Sequence, residues 1–498
     1  MMSYLGISAG FHDASATVID YDGSIKFAGH AERYSKQKND RSLNSDIFYD
    51  AYNYTNKITH IAYYEKPLLK QLRNWRSGIG FDWKRFTTWQ AIDRELPPRA
   101  RRLIGTGIPY SSYHHHKSHA AAGFQTSPYD DATVVVIDAI GEFDTISIWH
   151  AHYDRDGHAQ YQKLWTQKYP HSIGLFYSAM TQRAGLKPNE DEYILMGMSA
   201  YSRPDYNVYA EFVKNKDDIE FYDNLHTGCD DYRPEMTDFQ IASSAQYTVE
   251  QCIYRVMEKA RKLGRSKNLV YMGGVALNCS ANEQLGNYFE NIWIMPNPGD
   301  AGSSLGAAAL AYGKRVEWKH PYLGTNIEGE YPVNGILDEL LSTKIVGVAS
   351  GRAEFGPRAL GNRSLLADPR GPEIKDKVNE IKRRQKFRPF APVILEEYVN
   401  EYFYMPKGFP TSPYMQTTAT CKKPSEFPAI IHQDGTSRVQ TVGKDCGSGI
   451  RELLEKWFVL TGCPMLLNTS LNIKGEPMVN DRADADRFEQ RYGVNVIS

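Results

Sequence analysis

His115 and His119 stand four residues apart in the run His114-His115-His116-Lys117-Ser118-His119. That spacing puts two imidazoles on one face of a helix. His114 and His116 flank the pair, and of the three consecutive histidines only His115 is i,i+4 to His119. Asp300, in Pro298-Gly299-Asp300-Ala301-Gly302, can add a carboxylate. Two imidazoles and a carboxylate make a three-ligand site with positions left open for substrate. Between them, Gly273-Gly274-Val275-Ala276-Leu277-Asn278 follows an apolar run. Glycines there let the backbone approach a nucleotide phosphate. Together these segments point to a nucleotide and a metal bound in a two-lobed enzyme.

A second chemical grouping lies in the other half of the chain. From Arg352 to Arg388 there are eleven Lys/Arg against five Asp/Glu. The planar arginine fork holds phosphate or carboxylate through two bonds. Arg358 and Arg363 sit among Gly and Pro and suit a small-anion pocket. Lys382, Arg383, Arg384, Lys386 and Arg388 cannot all face one pocket. Some of them are therefore solvated, and Lys382 and Arg388 are the candidates. Arg438 and the stretch Asn468-Thr469-Ser470-Leu-Asn472 add a further cation and hydrogen-bond donors. A solvated basic face or an RNA-binding patch is the competing reading. Four separated polar motifs, each beside a strand or glycine, favour an anion site.

The elements that position these groups show a repeat. Tyr4-Leu-Gly-Ile-Ser is a strand, Gly10 to Asp13 a turn, and Ala14 to Asp20 a returning strand. Thr133 to Asp138, Gly141 to Asp144 and Thr145 to Trp149 repeat the unit with the same turn spacing. A strand unit repeated once predicts two similar lobes with a cleft between them. Such units resemble the paired phosphate loops of the actin-like ATPase and sugar-kinase fold. Residues 66–104 read as a helical cover with Trp75, Trp83 and Trp89 packed into the core; a single-stranded nucleic-acid surface is the alternative. Residues 246–264 read as a helix, Asn268 to Met272 as a strand, and Leu305 to Tyr312 as a close-packed small-residue helix. The stretch 202–245 has few periodic cues and no assigned role. Pro/Gly-rich sequence around 315–340 places a domain boundary there, giving domains 1–325 and 326–498.

With 498 residues, 41% of them hydrophobic, the chain has ordinary globular composition for two or three domains. The net charge of −1 supplies no global field toward nucleic acid or membrane. Six cysteines form no CxxC pair and read as free thiols in a reducing compartment. Neither a signal peptide nor a membrane-length apolar run is expected, so the chain reads as cytoplasmic. The sequence leaves the oligomeric state open.

With these residues in view, the chain resembles the O-carbamoyltransferases that act on nodulation factors and antibiotics. The resemblance runs nearly end to end. It is carried by His12-Asp13-Ala14-Ser15, His115 to His119, Ser172 to Tyr177, Asn189 to Tyr193 with Met196-Gly197, and Gly273 to Asn278. It continues through Gly299 to Gly302, Phe355 to Ser364, Phe387 to Phe390, Asp434 to Thr441 and Asn468 to Asn472. It implies an α/β chain with a two-lobed actin-like (ASKHA) N-terminal domain and a YrdC-like C-terminal domain. It implies that carbamoyl phosphate and ATP, with Mg2+, give carbamoyl adenylate, whose carbamoyl group passes to a hydroxylated small molecule. Arg358, Lys382, Arg388, Arg438 and Ser470 would hold carbamoyl phosphate, with Lys382, Arg438 and Ser470 also catalytic. His115, His119 and Asp300 would hold Fe2+ or another divalent transition metal. Gly10, Asp138, Gly141, Gly273, Gly274 and Asn278 would bind the nucleotide. His12, with Asp13 beside it, is the candidate base or positioner for the acceptor hydroxyl, or only a turn residue. Asp191 is a candidate to orient the acceptor. Ala139 stands where family members often have glycine, and the chain is shorter than many members. The runner-up reading is a tRNA threonylcarbamoyladenosine-type enzyme, which a neutral chain disfavours. A sugar kinase leaves the arginine motifs unexplained, and a nucleotide-binding scaffold would make the His and Arg sets structural.

Overall fold

The computed structural model describes residues 3–55 and 57–498. Its first sheet has strands β1 (Ser3–Ser8), β2 (Ser15–Asp20), β3 (Ile25–His30), β4 (His60–Tyr63) and β5 (Tyr110–Ser112). They lie in the order β3-β2-β1-β4-β5, the first three antiparallel and the last two parallel to β1. The second sheet is built from β6 (Asp131–Gly141), β7 (Asp144–Tyr153), β8 (Ala159–Lys168), β9 (Asn268–Met272) and β10 (Asn291–Trp293). Its order, β8-β7-β6-β9-β10, repeats the same sequence of antiparallel and parallel pairings. The repeated unit read from the sequence is therefore a duplicated lobe, the actin-like arrangement.

Four helices matter for the site: α1 (His115–Phe124), α2 (Ile173–Arg183), α3 (Asp238–Leu263) and α4 (Ser303–Tyr312). Strand β6 alternates its side chains between two cores, as a buried strand must. Val134 and Val136 pack with Ala120, Ala122, Leu305 and Ala308 of α1 and α4. Val135 and Ile137 pack with Phe176, Met180, Ile253 and Met257 of α2 and α3. A Cβ at Gly306 would sit 1.8 Å from the Ser118 carbonyl oxygen. Glycine there lets α4 lie directly on α1, which brings Asp300, just before α4, toward the histidines.

Helix α3 starts at Asp238, earlier than the periodicity predicts, behind a capping box of Thr237 and Gln240. The unassigned 202–245 stretch fills core: Val208, Phe212, Phe221 and Leu225 join the cluster around α2 and α3. The 66–104 cover is helical at Pro67–Arg76, Thr88–Glu95 and Pro98–Ile104, as expected. Its tryptophans are not in the core. Pro67, Gln71, Ala91, Ile92 and Ala100 occupy the buried faces, and Trp75, Trp83 and Trp89 point outward.

The second half forms one six-stranded sheet of β11 (Ile345–Ala349), β12 (Arg363–Ala367), β13 (Ala391–Leu395), β14 (Gln440–Val442), β15 (Met465–Ser470) and β16 (Val496–Ile497). The order is β14-β13-β15-β12-β11-β16. Helices cover both faces: Val333–Thr343 and Ile450–Thr461 pack on one, Glu373–Ile381 and Arg482–Tyr492 on the other. A smaller pairing, Tyr322–Ile327 with Gly351–Glu354, lies between this sheet and the first lobe, where Arg352 Nη2 donates to the Lys26 carbonyl at 2.8 Å.

Candidate functional site

Helix α1 places His115 and His119 one turn apart, and their Nε2 atoms meet at 3.0 Å. Asp300 Oδ1 lies 3.2 Å from both. Asp138, at the C-terminal end of β6, adds Oδ2 at 3.1 Å from His115 and 3.5 Å from His119. All four residues are buried. His119 Nδ1 donates to the Pro298 carbonyl at 3.1 Å, which turns its Nε2 lone pair inward. His116 points elsewhere, to Ser147 Oγ at 2.8 Å, and burial and His115 push it down to about 3. His114 sits beside Glu142. Two ring nitrogens converging with two carboxylates need shared protons or a cation. Without a cation, the carboxylates supply the balance. Burial disfavours the charged imidazoles, yet Asp300 and Asp138 hold His115 well above its ordinary value. Two imidazoles and two carboxylates fit a divalent transition metal. Asp138 is the ligand candidate the sequence reading assigned to the nucleotide; its position at a strand end beside Gly141 was the available signal.

Three glycines expected at the nucleotide lie behind the wall of the site instead of lining it. A Cβ at Gly141 would come within 2.5 Å of the His115 ring, so glycine there lets α1 start against the β6–β7 turn. A Cβ at Gly273, whose φ is +92°, would strike the Ile137 carbonyl oxygen at 2.1 Å. Gly10 lies near Glu95, Arg85 and the Tyr63 hydroxyl. Gly274 and Asn278 do line the site. Gly274 N–H donates to Asp138 Oδ1 at 3.3 Å. Asn278 Oδ1 accepts from Ala281 N–H at 3.1 Å, and its amide exchanges hydrogen bonds with Gln246.

His12 and Asp13 sit on the β1–β2 turn. His12 Nδ1 is 2.8 Å from Asp13 Oδ2, and its Nε2 is 3.5 Å from Asp300 Oδ2. Burial lowers its pKa, but Asp300 and Asp13 outweigh this and raise it to about 9. At neutral pH in the metal-free chain this ring is a cation that donates to Asp13 and pairs in charge with Asp300. Asp191 lines the same space, and its Oδ2 accepts from Lys187 N–H at 3.1 Å.

One cavity of about 990 Å³ joins these residues to the arginine-rich half. His12, Asp13, Asp138, Asp191, Gly274, Asn278 and Asp300 line one part; Arg358, Lys382, Arg384, Arg388, Arg438 and Ser470 line the other. Among the described residues, Arg358 makes no hydrogen bond or ion pair within the chain. Burial and Arg438 push it down to about 9. Burial, Arg384 and Arg388 pull Lys382 well below the ordinary lysine range. Lys382 Nζ donates to the Ser470 carbonyl at 2.5 Å and also reaches Asn472. Arg388 lies over the Tyr193 ring at 4.8 Å. Cations that disfavour one another in a closed space can be relieved by an anion between them. Arg384, not among the candidates chosen from the sequence, lines the same part of the cavity: Nε donates to Asn379 Oδ1 at 2.7 Å and its plane lies 4.1 Å over Phe390.

Arg363 does not belong to it. Its guanidinium is fully buried and donates to the carbonyls of Ser350, Asn362, Thr325, Gly351 and Asn480. The loop between Phe355 and Asn362 is held on every side, leaving the Arg358 side chain free. Glu354 Oε1 accepts from the N–H groups of Leu360, Asn362 and Arg363 at 2.8, 3.0 and 3.2 Å. Arg33, buried in the first lobe, donates to the Gly356 carbonyl at 2.9 Å. Burial pulls Arg33 below its ordinary range and Glu354 opposes the shift.

Comparison with known proteins places this geometry. The profile described as carbamoyltransferase N-terminus matches residues 103–309, and that described as carbamoyltransferase C-terminus matches residues 337–498. An uncharacterized protein of Synechocystis sp. is 31% identical over 100% of this chain and 95% of its own length. Nodulation protein NolO of Bradyrhizobium diazoefficiens is 32% identical over 74% of this chain and 75% of its own. Among solved structures, the activator of 2-hydroxyisocaproyl-CoA dehydratase from Clostridium difficile, with bound ADPNP, is 14% identical and superposes with a TM-score of 0.36, covering 62% of this chain and 94% of that one.

Proposed function

This chain belongs to the carbamoyltransferase family, and we propose that it forms carbamoyl adenylate at the arginine-lined part of the cavity and transfers the carbamoyl group beside the histidine cluster. The cavity lined both by the arginines and by His12 with Asp138 and Asp300, the carboxylates that meet His115 and His119, carries this reading. An intermediate as labile as a mixed anhydride gains from never meeting bulk water.

In the first stage, water releases inorganic phosphate from carbamoyl phosphate. The resulting carbamate oxygen attacks the α-phosphorus of ATP, and pyrophosphate leaves. Arg358 and Arg438 offer unpaired guanidinium forks to the phosphate dianion, with Lys382, Arg384 and Arg388 raising the local potential. Ser470 donates to a substrate oxygen once Lys382 is drawn toward the anion. Mg2+ accompanies the ATP.

In the second stage, the acceptor hydroxyl attacks the carbamoyl carbon, the C–O bond to AMP breaks, and AMP leaves. A divalent cation held by His115, His119, Asp138 and Asp300, ferrous iron or another transition metal, would supply positive charge for the adenylate phosphate. Gly274 and Asn278 border the nucleotide. His12 and Asp13 hold the acceptor hydroxyl, and the pair takes its proton when the Asp300 carboxylate is engaged elsewhere. Asp191 borders the acceptor side. The proposed division of labour follows residues 1–325 and 326–498.

The test needs no acceptor. The purified protein is incubated with ATP, Mg2+ and carbamoyl phosphate, and pyrophosphate release and carbamoyl adenylate are followed by phosphate assay and mass spectrometry. Product from the wild type and none from Arg438→Ala is the expected result. No product from folded wild-type protein rejects the first stage. Adenylate formation that persists in His115→Ala separates the first stage from the histidine cluster.

A further inference from the structure

The cover helix Pro67–Arg76 turns Pro67 and Gln71 inward. Its other face is apolar and open to solvent: Leu68 is 48% exposed, Leu72 41% and Trp75 68%, and Ile79 just beyond it 65%. The spacing of 68, 72, 75 and 79 is one helical stripe continued past the helix end. Trp83, 71% exposed, extends the patch with its ring 4.6 Å from Phe81. Single exposed hydrophobics need no explanation, but a contiguous helical set does. The same segment, residues 66–104, carries ten Lys/Arg against three Asp/Glu. Lys70, Arg85, Arg94 and Arg101 are paired with Glu65, Glu95, Asp82 and Asp93, while Arg76, Lys84, Arg99 and Arg102 are exposed and, among the described residues, make no ion pair. Nothing in the proposed reaction uses this surface.

We propose that this face docks on an anionic lipid surface, with Leu68, Leu72, Trp75, Ile79 and Trp83 entering the headgroup boundary and the surrounding cations meeting lipid phosphates. An amphipathic helix with tryptophan and leucine on one face and lysine and arginine beside it has this chemistry. No helix among the described residues is long and apolar enough to cross a membrane, so the attachment is peripheral. A second copy of the chain is a poorer occupant, because a two-fold contact would set one basic surface against another. Single-stranded nucleic acid is poorer too, since Leu68, Leu72 and Ile79 offer no ring on which a base can stack. The inference is independent of the proposed reaction.

The test is cosedimentation of the full chain with vesicles of phosphatidylcholine alone or with about one-third phosphatidylglycerol, alongside tryptophan emission. Binding only to the anionic vesicles, weakened by salt and accompanied by a blue shift, is expected. The double variant Leu72→Asp/Trp75→Asp should bind at least tenfold more weakly with an unchanged melting temperature. The proposal is overturned by absence of binding to anionic vesicles, or by equal binding of the double variant. It is also overturned if the same variant instead abolishes a concentration-dependent dimer or binding to a single-stranded oligonucleotide.

Discussion

Replacing Glu354 by alanine tests how the anion site is held without touching a residue that lines it. Glu354 is 2% exposed and its Oε1 accepts three backbone N–H bonds from the loop that carries Arg358. Each buried N–H left without a partner costs about 1–3 kcal/mol. Arg33 of the first lobe also loses the carboxylate that most strongly opposes the effect of its burial. Loop relaxation and water entry recover part of the sum, leaving about 3–5 kcal/mol, the range for breaking a buried charge pair. Glu354→Gln keeps an oxygen acceptor and, with charge-assisted bonds about twice as strong as neutral ones, should lose roughly half as much. Hydrogen exchange at the amides of Leu360, Asn362 and Arg363, with denaturant unfolding, reads the structural effect. The KM for carbamoyl phosphate in the pyrophosphate-release assay reads the functional one. Alanine should deprotect those amides and raise KM more than it lowers kcat, and glutamine should restore most of both. Unchanged exchange at the three amides, or a fall in kcat with KM unmoved, would falsify this account of the loop.

Arg358→Ala should leave the melting temperature unchanged or raised, because it relieves a buried like-charge contact with Arg438, while saturation by carbamoyl phosphate is lost; Arg363→Met should instead unfold the region, because five carbonyls lose their donor. Gly141→Ala should displace His115 and weaken metal affinity by about 10–100-fold, measured by competition with a chromophoric chelator. In the metal-free protein the folded pKa of His12 is raised, so its stabilising ion pairs are fully present below its ordinary value of 6.5 and are lost as pH rises through about 9. Chemical denaturation across that window should show stability falling for wild type and falling less for His12→Gln, where the raised His115 and His119 remain. Exchange of metal by dialysis should release protons on rebinding, detectable as buffer-dependent heat in calorimetry, since the carboxylates raise the pKa of His115 and His119 when the cation is absent.

Much of this chain was legible in one dimension because the chemistry depends on local spacing. The pair His115 and His119 needs only a helix, and α1 supplies it. The repeated strand–turn–strand unit predicted two lobes, because strand alternation and turn residues are local signals. The cluster of positive charge between Arg352 and Arg388 was visible as a local excess, and four of its cations, Arg358, Lys382, Arg384 and Arg388, line one cavity. What the sequence could not decide is which side chains face which space. Arg358 and Arg363 are five residues apart and chemically alike; one faces a cavity and the other ends among carbonyls, because Arg363 begins a central strand and Arg358 lies on the loop before it. Asp138 joined the histidine cluster because β6 ends beside α1, a contact between elements that no local pattern encodes. Gly141 and Gly273 proved to be spacers for backbone crossings, since their neighbours are distant in the chain. The tryptophans of the cover went outward because smaller residues filled its inner faces, a choice made by the packing of the whole lobe. Sequence determined the residue types and their local periods; the tertiary structure alone decided the convergence of separate segments on one cavity, because burial and hydrogen-bond partners are set by neighbours that the chain brings together only on folding.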